Sequence, residues 1–154
     1  MDEIDRNLVV ALQLDGSAGL AELAKVAGLS VSATAERVKR LEERGVIRGW
    51  RADLDPAAVG CPLLAYVLAA VSPGRDDAAF RKAMRRQEAV LECHAVTGAW
   101  TYLLKIRLPD LAALDGFLNE EIRAQAGVQR VETLLAIATV KETSILPVAP
   151  ATEE

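Results

Sequence analysis

The sequence predicts an α+β chain: an N-terminal winged helix-turn-helix domain over residues 1–52 and a C-terminal ferredoxin-like βαββαβ domain over 62–146. Three observations predict it. Up to about Trp50, apolar residues recur at three- and four-residue steps, the period of amphipathic helices. Past residue 60, apolar runs with strand-like alternation take turns with helical stretches, in the order strand, helix, strand, strand, helix, strand. Between two of the first-half helices, Gly28 and Ser30 stand where a tight turn and a helix cap are needed. Residues 53–61 read as a linker, and 147–154 as a tail expected to fray.

Each element has its own signal. Ile4, Leu8, Ala11 and Leu12 form the apolar stripe of a first helix, which Asp15-Gly16 ends. Leu20, Leu23, Ala24 and Ala27 mark a second, short helix, with Gly28 as its left-handed terminal residue. Ser30 caps a third helix from about Val31 to Arg44, with Val31, Ala35, Val38 and Leu41 inward, and Gly45 stops it. Residues 46–52 read as a short strand pair or wing, and Asp55-Pro56 as a turn signal in the linker. Leu63–Val71 is a strand, 72–74 a turn and Asp76–Arg86 a helix. Val90–Val96 and Trp100–Leu108 form two strands joined at Gly98; in the second, Trp100, Tyr102, Leu104, Ile106 and Leu108 alternate with Thr101, Lys105 and Arg107. Pro109-Asp110 opens a helix with Leu111, Leu114, Phe117, Leu118 and Ile122 on one face, and Val128–Lys141 is the closing strand. Two helices cover one face of a four-stranded sheet. Leu63–Val71 is nonetheless apolar at nearly every position, as in a strand buried on both faces, so a second copy of the chain is the simplest cover and a homodimer is expected.

Composition removes several classes. With 154 residues, 51% hydrophobic and 26% charged, the chain is globular rather than disordered. Aromatics are 4%, so Ala, Val, Leu and Ile must build the core. The longest apolar run, Ala57–Val71, is broken by Gly60 and Pro62 and falls short of the roughly 18–20 residues of a membrane span, so no membrane is expected. The acidic start is unlike a signal peptide, and two cysteines are too few for a disulfide framework. The expected setting is soluble, reduced and cytoplasmic. Cys93 and His94 are adjacent on a strand and so point to opposite faces, and Cys61 reads as a small hydrophobe. No metal and no cofactor is expected, and neither a glycine-rich phosphate loop nor a Ser/His/Asp set can be assembled.

The third helix carries the chemistry. Ala33, Arg37, Arg40 and Arg44 are spaced along the face opposite its predicted stripe, and a major groove admits a helix whose arginines meet phosphates and guanine edges. Ser30, Ser32, Ala33 and Thr34 stand at its amino end, where small side chains can approach base edges, and Arg48 and Arg51 extend the basic stripe. From Val31 to Asp53 six basic residues face four acidic ones, a local charge of +2 in a chain of net charge -4. Spacing also allows i,i+4 pairs, Glu36 with Arg40 and Lys39 with Glu43, which would make this an ordinary solvated face. Together with the short preceding helix, the glycine and the cap, the stripe points to double-stranded DNA as the partner.

Ile4-Asp5-Arg6-Asn7-Leu8, Glu22-Leu23-Ala24-Lys25 to Gly28-Leu29-Ser30, and Arg37-Val38-Lys39-Arg40-Leu41-Glu42 to Gly45-Val46-Ile47 resemble the DNA-binding half of the feast/famine (Lrp/AsnC) transcription regulators. Leu54-Asp55-Pro56 to Gly60 resembles that family's linker. Val96-Thr97-Gly98, Tyr102-Leu103-Leu104-Lys105-Ile106 and Gly127-Val128 to Val131-Glu132-Thr133 resemble its second domain. The resemblance implies dimerisation through the sheet, assembly of dimers up to an octamer, and a small effector, usually an amino acid, between dimers. It places Gly98, Ala99, Trp100, Thr101, Tyr102 and Thr133 at the effector site. A glycine turn there can bring backbone N–H groups against a carboxylate. The family usually has Asp where this chain has Thr101, and a neutral hydroxyl cannot pair with an α-ammonium group. Trp100 and Tyr102 can equally be core residues on the alternating face.

Three function classes follow. The expected one is a sequence-specific DNA-binding transcription regulator, not an enzyme, tuned by an amino acid or related metabolite. The alternative is an enzyme similar to the sirohaem decarboxylases, which resemble this family with a degraded DNA-binding half; here the basic helix is intact. RNA binding on the sheet would want a basic strand with several aromatics, and Trp100 and Tyr102 alone do not supply it.

Overall fold

Capping residues set the helical part of the chain. Asp2 accepts the Asp5 backbone N–H at 2.8 Å and starts α1 (Glu3–Leu14), which buries Leu8, Val9 and Leu12. α2 (Leu20–Ala27) ends at Gly28, whose φ of +65° lets the Leu29 N–H turn back to the Ala24 carbonyl at 3.1 Å. The Ser30 Oγ accepts the Ala33 N–H at 3.2 Å and starts α3 (Val31–Glu43). Leu8, Leu12, Leu23, Ala27 and Leu41 close the core of this three-helix unit. The inward stripe of α3 is rotated from the expected one: Thr34 and Leu41 are buried and Val38 packs on the core, whereas Val31 is 49% exposed. Thr34 tolerates complete burial because its hydroxyl donates to the Ser30 carbonyl at 3.0 Å.

The structure, a computed structural model, describes residues 1–149, and it corrects two expectations in this unit. Residues 46–52 form no strand and hence no paired wing. The Val46 and Ile47 N–H groups both return to the Leu41 carbonyl at the end of α3, at 2.9 and 3.1 Å, so neither is available to a ladder, and Gly49 at φ +149° turns the chain away. Trp50 pins the segment instead, donating from Nε1 to Glu42 at 2.9 Å. The described part of the tail does not fray. Residues 141–149 belong to this first unit, where Val148 packs on its core and Leu146 exchanges two hydrogen bonds with Gln13. The remainder of the expected tail, 150–154, lies outside the described residues.

The second unit, Leu54–Val140, is the expected βαββαβ sequence: β1 (Leu63–Val71), α4 (Arg75–Met84), β2 (Val90–Ala95), β3 (Tyr102–Leu108), α5 (Leu111–Phe117, continuing as a π-helical turn to Arg123) and β4 (Val128–Leu135). The sheet order is β2-β3-β1-β4, antiparallel throughout. Ala65, Val67, Ala69 and Val71 of β1, with Tyr102, Leu104, Ile106 and Leu108 of β3, form the buried face under Phe80, Met84, Leu114, Phe117 and Ile122. The opposite face carries rows that register fixes: Glu92, Lys105, Tyr66 and Leu134 in one, and His94, Leu103, Leu68 and Glu132 in the next. β3 begins at Tyr102 rather than Trp100, and β4 stops at Leu135 rather than running to Lys141. β1 offers residues up to Leu63 for pairing, so β4 runs out of partner there.

Gly127 opens β4 at φ +81°, where an added Cβ would stand 2.4 Å from the Asp76 Cβ. Gly127→Ala should therefore destabilise the protein by about 1–3 kcal/mol, read as a lowered urea midpoint at unchanged slope.

Candidate DNA-binding face and effector loop

The arginines of α3 divide into two kinds. Arg37 turns back into its own domain: Nη1 donates to Asp2 at 2.7 Å and to Asp5 at 2.8 Å, tying α3 to the first turn of α1. Asp5 is itself buried, so this pair is partly shielded from water. The backbone N–H of Asp5, followed by the Arg37 guanidinium, holds the Asp2 carboxyl below its ordinary range, and the same pair, Asp2 first, raises Arg37. Arg37 is thus committed within the domain, which corrects its expected place on a free outer face. Thr34 is corrected too: completely buried, it cannot reach a base edge.

The remaining members of the stripe stay outward. Arg40 meets Glu36 at 3.5 Å and Lys39 meets Glu43 at 3.7 Å, the two i,i+4 pairs that the spacing allows, and all four side chains are more than half exposed. Arg44 ends α3, and Arg48 and Arg51 follow it; among the described residues these three have no carboxylate partner. Ser30 caps the helix, with its Oγ 3.2 Å from that of exposed Ser32, and Ala33 stands half-buried beside them. The outer surface therefore runs from small polar groups at the amino end of α3 to open guanidinium groups past its carboxyl end.

The second candidate site is the β2–β3 connection. Val96 N–H bonds the Thr101 carbonyl at 3.0 Å, and Gly98 takes φ +107° between them. The Thr101 N–H reaches the Ala69 carbonyl at 2.9 Å. Its hydroxyl accepts the Val71 N–H at 3.0 Å and donates to the Val71 carbonyl at 3.3 Å, so both of its functions serve the end of β1. Arg130 of β4 lies over the Trp100 ring, 4.0 Å from its centroid, and donates to the Ala99 carbonyl at 3.3 Å.

Two expected members are not brought into this arrangement. Tyr102 is a core residue, 2% exposed, tilted against Phe80 at 5.0 Å, with its hydroxyl donating to Asp77; burial, then that carboxylate, raises its pKa. Thr133 faces Val67 across the β4–β1 ladder, whereas Arg130 faces Ala70; an odd separation on a strand puts them on opposite faces of the sheet. Sequence reasoning missed Arg130 and Val71, because only the strand register carries β4 across β1 to the loop. Cys93 and His94 do lie on opposite faces, opposed by Leu104 and Leu103, and no group of three metal-ligating side chains occurs among the described residues.

Residues 1–42 match the AsnC-type helix-turn-helix domain, and residues 64–146 match the Lrp/AsnC ligand binding domain. The leucine-responsive regulatory protein of Escherichia coli K12 is 38% identical over 148 residues, covering 95% of this chain and 90% of that protein. The chain belongs to the Lrp/AsnC family of transcription regulators. A Neisseria meningitidis transcriptional regulator in complex with L-methionine superposes with a TM-score of 0.91 at 29% identity, covering 96% of each chain. A feast or famine regulatory protein from M. tuberculosis, also complexed with L-methionine, gives 0.87 at 38% identity over 96% of this chain and 99% of that one. In this Lrp/AsnC chain a helix-turn-helix and a ligand-binding domain share one polypeptide, and no described helix is long and apolar enough to cross a membrane.

The Asp2–Arg37–Asp5 clamp makes a checkable statement about pH. A carboxylate whose folded pKa is depressed stabilises the fold above its unfolded pKa and loses that contribution as pH falls through the folded value. Asp2→Asn, which keeps a capping side chain, should unfold at a lower temperature than wild type at pH 7. The gap should close below about pH 4, the ordinary aspartate range. Calorimetry across that range checks it.

Proposed function

We propose that this regulator is a homodimer, built up from dimers to an octamer, that binds double-stranded DNA in the cytoplasm through α3 and responds to a small carboxylate effector, an amino acid or related metabolite. The observation that carries the DNA part is the exposed basic series of Arg40, paired only with exposed Glu36, and Arg44, Arg48 and Arg51, continuous with Ser30, Ser32 and Ala33 on the outer side of α3. These are the residues assigned to phosphates and base edges. Arg37 acts as a positioning residue that sets α3 against α1. Two copies of α3 in a dimer would address half-sites about one helical turn apart.

Dimerisation is supported by the sheet. Tyr66, Leu68, Ala70, Leu103 and Leu134 make an apolar patch on the face that carries no helix of its own unit, and Leu134 is 49% exposed in the single chain. A second sheet laid on this patch buries it. The effector part is supported by the L-methionine carried by two structural relatives and by the Gly98–Thr101 loop with Arg130 beside it.

Fluorescence anisotropy with DNA from upstream of the regulator's own gene, titrated against salt, tests the first part. Arg40→Ala should weaken binding and flatten the slope of log K against log salt by about 0.9, one phosphate contact. A slope equal to wild type for Arg40→Ala, Arg44→Ala and Arg48→Ala alike would remove this face from the interface. For the second part, light scattering on Leu68→Glu should return a folded monomer where wild type is a dimer or larger.

A further inference from the structure

We infer that the Gly98–Thr101 loop takes a small carboxylic acid with an apolar tail and no α-ammonium group, a 2-oxo acid, with Arg130 receiving its carboxylate. The inference rests on the effector reading above and names the chemical class of the ligand.

Charge is the first argument. Arg130 is exposed on β4, where it meets the Trp100 ring and the Ala99 carbonyl; among the described residues no carboxylate pairs with it. A guanidinium has five N–H donors, and one bond to a carbonyl leaves a flat edge suited to two carboxylate oxygens. Stacking on the indole fixes the plane of that edge and keeps it beside the loop. From Val96 to Tyr102 there is no acidic residue. An amino acid bound there would set its ammonium beside a cation with no carboxylate in the loop to offset it, while its carboxylate would be matched. A 2-oxo acid brings the same carboxylate and tail without the repulsion.

The second argument is the Thr101 hydroxyl. Placed at the base of the loop, it is engaged as acceptor and as donor by the two polar groups of Val71. Its one proton is spent on the Val71 carbonyl, so toward a ligand it offers only a remaining lone pair, a neutral acceptor without the negative charge that would offset an ammonium. Gly98, with no side chain and φ +107°, leaves backbone room for a planar keto acid, and Ala99 and Trp100 supply apolar surface beside it.

The test uses the full chain carrying Trp50→Phe, which leaves Trp100 as the one indole. Calorimetry and Trp100 emission are followed with the common amino acids and their 2-oxo counterparts as matched pairs, for example L-methionine against 4-methylthio-2-oxobutanoate and L-leucine against 4-methyl-2-oxopentanoate. At least one 2-oxo acid should bind tenfold or more tightly than its amino acid and shift Trp100 emission. Arg130→Gln should lose that binding by tenfold or more, while Arg123→Gln, on the π-helical turn, keeps it. An amino acid binding as tightly as its 2-oxo partner overturns the ligand class and leaves the effector reading standing. Binding by neither member of any pair overturns both. Binding of a 2-oxo acid that ignores Arg130→Gln and leaves Trp100 unmoved takes the carboxylate away from this loop and overturns the inference.

Discussion

The second domain depends on β1 more than on any other element. It is paired on both edges, with β3 from Leu63 to Ala69 and with β4 from Ala65 to Val71, so its backbone groups are satisfied along nearly its whole length. Its side chains split by parity: the odd-numbered ones from Ala65 to Val71 lie under α4 and α5, while Tyr66, Leu68 and Ala70 look the other way. Two helices of this size cannot cover both faces. That shortage divides the sheet: one face becomes a core, and the other is left apolar with no helix of its own unit over it.

The first domain solves a different problem, that of holding a charged helix firmly while keeping charge outward. Leu41 alone among the apolar residues of α3 is fully buried, with Val38 half-buried, which is thin packing for a helix of 13 residues. The Arg37 clamp onto Asp2 and Asp5 supplements it with two charge-assisted bonds. One arginine is thereby withdrawn from the surface so that Arg40, Arg44, Arg48 and Arg51 can be presented in a fixed direction. The acidic start of the chain, which in the sequence only sets it apart from a signal peptide, supplies both carboxylates of this clamp.

What was legible in the sequence follows from how local the deciding interaction is. Gly28, Ser30 and Asp110 act within four residues of themselves, and the elements they bound stand as expected. Strand order and the buried parity of β3 also came through, because period-two alternation is a local pattern. The failures are non-local or turn on one backbone bond. The β-favouring run at 46–52 makes no strand because Val46 and Ile47 give their N–H groups to Leu41. A rotation of the α3 stripe puts Thr34 inside and Val31 outside, and Arg37 found acids 32 and 35 residues away. Of the six expected effector residues, the loop positions Gly98 to Thr101 stay together, while Tyr102 went to the core and Thr133 to the other face. Arg130, which completes the loop, carries no local signal at all.

β1 also shows how one side chain can set both the closure of a strand and the charge of the loop beside it. At its carboxyl end the ladder with β3 stops at Ala69, leaving Val71 to be satisfied from outside that pairing. Thr101 does this with a single hydroxyl acting in both directions. An ionised carboxylate at that position accepts but cannot donate, so it would satisfy the Val71 N–H and leave the carbonyl to water or to a ligand. Threonine closes the strand more completely and takes negative charge away from the loop. The charge beside the loop then comes from Arg130, whose contact with Trp100 depends on β1 keeping β4 in register. Strand closure and loop charge are therefore one coupled choice rather than two.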